Sequence, residues 1–150
     1  MSATPHPCVE VNRLSACLPW HQDLDYNDTR AVGRWGEALV YQFLLSHYPD
    51  WRVEWVNQEE ETRAPYDLKM TDDKGTEHST VYVEVKTSRF VGKNVFEISY
   101  DEWDFASRPG IHYHIYRVNG AADPRNLSIH ILRDPVRAAR EQRAGLCLAI

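Results

Sequence analysis

The chain has 150 residues, 43% of them hydrophobic and 26% charged, a length that suits one domain of ordinary size. Its net charge of −5 argues against a dedicated non-specific DNA binder, which is usually basic, and no apolar run reaches the roughly 18 residues that span a bilayer, so no membrane contact is expected. The three cysteines, Cys8, Cys17 and Cys147, form no CxxC and read as reduced thiols, and no charged stretch leads into an apolar one near Met1, so an intracellular protein, nuclear or cytoplasmic, is expected.

Residues 1–28 contain Pro5, Pro7 and Pro19 and little periodicity, and read as a flexible N-terminal segment. A helix is predicted from Asp28-Thr29, either of which can cap it. Val32, Trp35, Leu39 and Phe43 recur at helical spacing and would form its buried stripe. Pro49 disfavours helix for the residue before it, which ends the run near His47-Tyr48. Gly33 and Gly36 are costly inside a helix; close approach of helix to sheet is one reason for them, a frayed first turn the other.

Trp51 to Asn57 alternates, with Trp51, Val53 and Trp55 on one face, and is predicted as a half-buried strand. Gln58 to Ala64, with Glu59-Glu60-Glu61, reads as a solvated loop. Tyr66 to Thr71 is a second strand, with Tyr66, Leu68 and Met70 facing one way and Asp67 and Lys69 the other. Asp72-Asp73-Lys74-Gly75 is a turn. Thr80 to Thr87 is the clearest strand, Val81, Val83 and Val85 against Tyr82, Glu84 and Lys86. Val95 to Ile98 is a candidate further strand. Ser99 and Glu102 form a capping box for a helix over Tyr100 to Ala106, ended by Arg108-Pro109-Gly110. Strands follow at Ile111 to Val118 and Leu127 to Leu132, then a basic helix and tail from Pro135, helical to Ala144. This order predicts an α/β fold, a mixed central sheet flanked by helices.

The residues that suggest chemistry are three carboxylates and a lysine. Strand alternation puts Glu84 and Lys86 on one face. A hairpin of the second and third strands would bring Asp67 beside them. At about 100° per residue, Glu37 lies about 140° round the first helix from Val32, at the edge of the apolar stripe, from where it can reach over the sheet. Crowded carboxylates repel one another, and Mg²⁺ relieves that repulsion, taking oxygen from one or two carboxylates and leaving room for water and phosphate. A lysine close to such an ion can polarise an attacking water and offset developing charge. Phosphodiester hydrolysis uses this set of parts. Nothing supports nucleophilic serine or cysteine chemistry: no Gly-x-Ser-x-Gly occurs, and the cysteines lie near the ends. His112 and His114 lack a third ligand at a telling spacing and read as exposed strand residues. Tyr100, Trp103 and Phe105 read as core and capping contacts. Arg133, Arg137, Arg140 and Arg143 read as a solvated face, with phosphate contacts as the alternative.

Pro65-x-Asp67 followed by Glu84-x-Lys86, with the helical Glu37 upstream, resembles the PD-(D/E)xK nuclease superfamily, in which proline and aspartate are usually adjacent; here Tyr66 separates them. More narrowly, Gly33-Arg34-Trp35-Gly36-Glu37, Pro65-Tyr66-Asp67, Val83-Glu84-Val85-Lys86-Thr87 and Phe96-Glu97-Ile98-Ser99-x-x-Glu102-Trp103 resemble the C-terminal domain of NO VEIN-type proteins. The resemblance covers residues 29–135. It implies a restriction endonuclease-like fold with an α-β-β-β-α-β core. It implies a metal site of Asp67, Glu84 and the Val85 carbonyl, with Glu37 as accessory ligand and Lys86 as catalytic lysine. The cofactor implied is Mg²⁺ or Mn²⁺. The partner implied is nucleic acid, DNA ahead of RNA, with a homodimer or a larger protein as further expectations. The activity implied is nucleic-acid hydrolysis; the alternative is an inactive module that keeps the fold for protein or nucleic-acid contacts.

Overall fold

The computed structural model describes residues 8–10, 23–75 and 78–147, the first of these as backbone only. Their elements in chain order are β1 (Cys8–Glu10), α1 (Thr29–His47), β2 (Arg52–Trp55), β3 (Leu68–Asp72), β4 (Ser79–Ser88), α2 (Tyr100–Ala106), a 3-10 turn (Gly110–His112), β5 (Tyr113–Asn119), β6 (Ser128–Arg133) and α3 (Pro135–Arg140). The strands form one mixed sheet in the order β1-β6-β5-β4-β3-β2. β4 and β5 run parallel, and the other neighbouring pairs are antiparallel. A parallel pair needs a long crossover; here it carries α2.

The expected limits of α1 hold. The Asp28 carboxylate accepts from the Arg30 and Ala31 amides at 2.9 and 3.1 Å, and the Tyr48 amide closes the last turn on the Leu44 carbonyl. Val32, Trp35, Leu39 and Phe43 are buried as the periodicity predicts. They pack on Leu68, Met70, Val81, Val83 and Val85, one face of the β3–β4 hairpin. Gly36 stands where α1 meets β4: a Cβ there would lie 1.8 Å from the Thr87 hydroxyl oxygen, so only glycine lets the helix sit this close. Gly33 has open space around it, and close packing does not account for it.

The opposite face of the sheet carries a second core, in which Ala106 of α2 and Val136 of α3 join Tyr113 and Ile115 of β5. Helices thus cover both faces. On β4, Tyr82 packs into this second core, so Glu84 and Lys86 rise from the same side.

Five expectations need correction. Ile111 and His112 belong to the 3-10 turn ahead of β5 and not to the strand, which starts at Tyr113. Val95 to Ile98 is no strand, because β4 is already flanked by β3 and β5; Phe96 and Ile98 pack into the second core from a loop instead. Tyr66 lies outside β3 and does not share the face of Leu68: its ring packs on Tyr82 and Phe105, on the other side of the sheet. The last helix stops at Arg140, four residues short. Gln142 turns to a positive φ of 58°, and the Arg143 and Gln142 amides bond back to the Ala138 and Ala139 carbonyls, a Schellman stop built without glycine. His114 is half-buried rather than exposed, and burial pushes its pKa down to about 4.

Cys8–Glu10 pairs with Ser128–His130 and forms the sheet edge; the rest of residues 1–22, Cys17 included, lies outside the described residues. Cys147 is exposed with a free thiol. Among the described residues no helix is long and apolar enough to cross a membrane.

Candidate functional site

The site begins just ahead of the first residue of β3. Asp67 immediately precedes Leu68, and its backbone is held on both sides: its amide donates to the Val83 carbonyl and its carbonyl accepts from the Val56 amide, both at 2.9 Å. Pro65 is fastened too, its carbonyl accepting from the Tyr113 hydroxyl at 2.8 Å. Beyond these backbone bonds the Asp67 side chain extends the link to β4. Its carboxylate accepts from the Val85 amide at 2.8 Å and from the Asn57 side-chain amide at 3.3 Å. Amide and carbonyl of one strand residue point to the same side, so the Val85 carbonyl also faces the Asp67 side of β4.

Glu84 and Lys86 stand beside it. Glu84 is buried, and the Lys86 ammonium lies 2.8 Å from its carboxylate and 2.8 Å from that of Glu102. Glu102 is held in turn by the Ser99 amide at 2.9 Å. The capping box therefore does two things: it starts α2, and it fixes the acid that clamps Lys86.

Glu37 reaches the rim from α1. It does not bond Asp67; the Trp55 indole donates to it at 2.8 Å and Arg34 at 3.2 Å. Arg34 lies over the Trp55 ring and also donates to the Asn57 carbonyl. Asn57 is buried and ties Thr62 to Asp67. A chain of contacts thus runs from the start of α1 through Arg34 and Asn57 to the central aspartate.

The electrostatics are those of too many acids in too little water. Burial and the charge of Glu37 lift the Asp67 pKa to about 7, against the opposing pull of the Val85 amide, Lys86 and Asn57. Burial and Asp67 lift Glu84 above the usual carboxylate range, more than Lys86 pulls it back. Burial also raises Glu37, with Trp55 and Arg34 opposing. Burial pulls the Lys86 ammonium down, but Glu84 and Glu102 outweigh it and leave its pKa raised.

Asp67, Glu84 and Lys86 are therefore together, as the strand pattern predicts, while Glu37 is near them but engaged elsewhere. Among the described residues, no three His, Cys, Asp or Glu side chains are grouped to hold a metal ion. The donor chemistry still fits Mg²⁺ or Mn²⁺, which take hard oxygen from one or two carboxylates and keep waters in the remaining positions. Two acids of raised pKa, Glu84 pushed up in part by the charge of Asp67, are the pair such an ion would relieve. The sequence does not mark Asn57 and Arg34 as supports, and it marks Glu102 as a cap and as part of the family motif but not as the partner of Lys86. Of the other candidates, Trp103 and Phe105 pack into the second core while Tyr100 is exposed. Arg137 and Arg143 pair with Glu141 at 2.7 and 2.9 Å, the solvated face expected of them.

The family model described as "Protein NO VEIN, C-terminal" matches residues 36–131. Protein NO VEIN of Arabidopsis thaliana is 36% identical over 131 residues, covering 87% of this chain. Protein NO VEIN-LIKE of the same plant is 38% identical over 87 residues, or 57% of this chain. The matched parts are only 4% and 13% of those two proteins. No solved structure matches the chain.

Proposed function

The chain belongs to the family of the NO VEIN C-terminal domain, and from that premise we propose that residues 29–135 form a restriction endonuclease-like domain that hydrolyses nucleic-acid phosphodiesters with Mg²⁺ or Mn²⁺, DNA ahead of RNA. The observation that carries this reading is the buried Glu84 with the half-buried Asp67 beside it and Lys86 on the same face. The chain order α1-β2-β3-β4-α2-β5 supports it, as does the position of Asp67 just ahead of β3. Asp67, Glu84 and the Val85 carbonyl would hold the ion, with Glu37 as accessory. Bound there, Mg²⁺ supplies a Lewis acid for the phosphoryl oxygen and a lowered pKa for the attacking water. Lys86 offers an ammonium to the negative charge that grows in the transition state, and Glu102 positions it. Tyr113 and Asn57 keep the Asp67 segment in place.

One observation favours the second reading, an inactive module used for binding: Lys86 is held by carboxylates on both sides, which leaves it engaged before any substrate arrives. Incubation with single-stranded and duplex DNA and RNA in Mg²⁺ and in Mn²⁺ separates the two. The nuclease reading predicts cleavage that EDTA stops and that Asp67→Ala and Lys86→Ala abolish. Cleavage that survives both substitutions rejects the site, and no cleavage of any substrate favours the binding module.

A further inference from the structure

Beside the carboxylates, at the C-terminal end of β4, the molecule has a cavity of about 680 Å³. Its lining changes sign. Arg89, Lys93 and Arg117 line it with positive charge beside Lys86, which Glu84 and Glu102 already pair, and Glu97 is the acid among the lining residues. This stands out in a chain of net charge −5.

Arg117 carries the argument. It is the register partner of Lys86 on the parallel strand β5, so the two side chains leave the sheet next to one another on one face. Only 8% of Arg117 is exposed. One guanidinium nitrogen donates to the Lys93 carbonyl at 3.1 Å, and the group lies 5.4 Å from the centre of the Phe96 ring. Among the described residues its Nε has no hydrogen-bond partner and no carboxylate pairs with it. A buried cation without a counter-ion is costly unless an anion completes it. The planar guanidinium suits a phosphate.

The wall also offers an apolar surface. Phe90 is 54% exposed, and the Arg89 guanidinium lies 4.6 Å from its ring centre. Exposed aromatic rings between basic side chains are how proteins hold single-stranded nucleic acid, base on ring and phosphate on cation. A concave site of this size admits one nucleotide but not a paired duplex.

We propose that this cavity seats one nucleotide of a single-stranded nucleic acid, its phosphate on Arg117 and Lys93 and its base on Phe90, next to the phosphodiester presented to Asp67, Glu84 and Lys86. The identity of that neighbouring group rests on the nuclease reading above; the cavity's own chemistry does not. The test is fluorescence anisotropy of a short labelled single-stranded oligodeoxynucleotide in EDTA, where nothing is cut. Phe90→Ala changes an exposed ring, and Arg117→Met replaces an unpaired buried charge with an apolar chain of similar length, so both variants are expected to melt no lower than the wild type. Each is expected to weaken single-strand binding about tenfold or more, as loss of a charged hydrogen bond or a stacking contact does. Lys93→Ala is expected to flatten the salt dependence of binding. Wild-type affinity in both Phe90→Ala and Arg117→Met overturns the proposal, and so does tighter binding of duplex than of single strand. Failure of the hydrolytic reading looks different: the same losses in EDTA with no cleavage in Mg²⁺ reject hydrolysis and leave the cavity assignment standing.

Discussion

Asp67 holds its position through its backbone and its chemistry through its surroundings. A folded pKa of about 7 lies above the usual range of about 4, so near pH 6 the folded chain binds a proton that the unfolded chain has released. That contribution to stability is complete below about pH 4 and is lost as pH rises through about 7. Without metal, the denaturation midpoint of the wild type should therefore fall between about pH 4 and about pH 7. Asp67→Asn should flatten that slope, while keeping an acceptor for the Val85 amide; an unchanged slope in this variant contradicts the assignment. Residue by residue, the site was legible where strand alternation decides orientation, at Glu84 and Lys86. It was not legible at Glu102, Asn57 or Arg117. Each of these acts through a partner from another element, Lys86, Asp67 and the Lys93 carbonyl respectively, and no local pattern records such pairings.

At the scale of elements, α1 presses on β4 through Gly36. Gly36→Ala forces a Cβ to 1.8 Å from the Thr87 hydroxyl oxygen, and overpacking of that kind costs about 1–3 kcal/mol. Gly33→Ala meets nothing and should stabilise the helix by about 1 kcal/mol. Chemical denaturation of the two variants should show opposite signs; a shared sign contradicts the close approach of α1 to β4. Element limits were readable where a chemical stop exists, as with Asp28 and Pro49 around α1 and Ser99 ahead of α2. They were not readable where tertiary contact decides. Val95 to Ile98 has strand-like residues but finds no place in the sheet, and the last helix ends at a positive φ that Gln142 does not advertise.

For the whole molecule, the parallel β4–β5 pair is the axis on which the rest is hung. It separates the α1 core from the α2–α3 core, and it brings Lys86 next to Arg117. Strand composition could not give that order, since β3, β4, β5 and β6 all carry buried residues and any of them could have been central. β4 and β5 are paired on both sides, while β1 is held by three residues at the edge. Hydrogen exchange should therefore be slowest in β4 and β5 and faster in β1 and α3; slowest exchange at the β1 edge would contradict this arrangement.

The central claim is that Asp67 and Glu84 hold a divalent cation between β3 and β4. Calorimetric titration of Mg²⁺ or Mn²⁺ near neutral pH, repeated in two buffers of different ionisation enthalpy, tests it most directly. Because both carboxyls have raised pKa values, the ion must displace protons as it binds. The predicted result is binding with proton release in the wild type and loss of both in Asp67→Ala. Binding of the same strength in Asp67→Ala, or no binding by the wild type at millimolar metal, would contradict it.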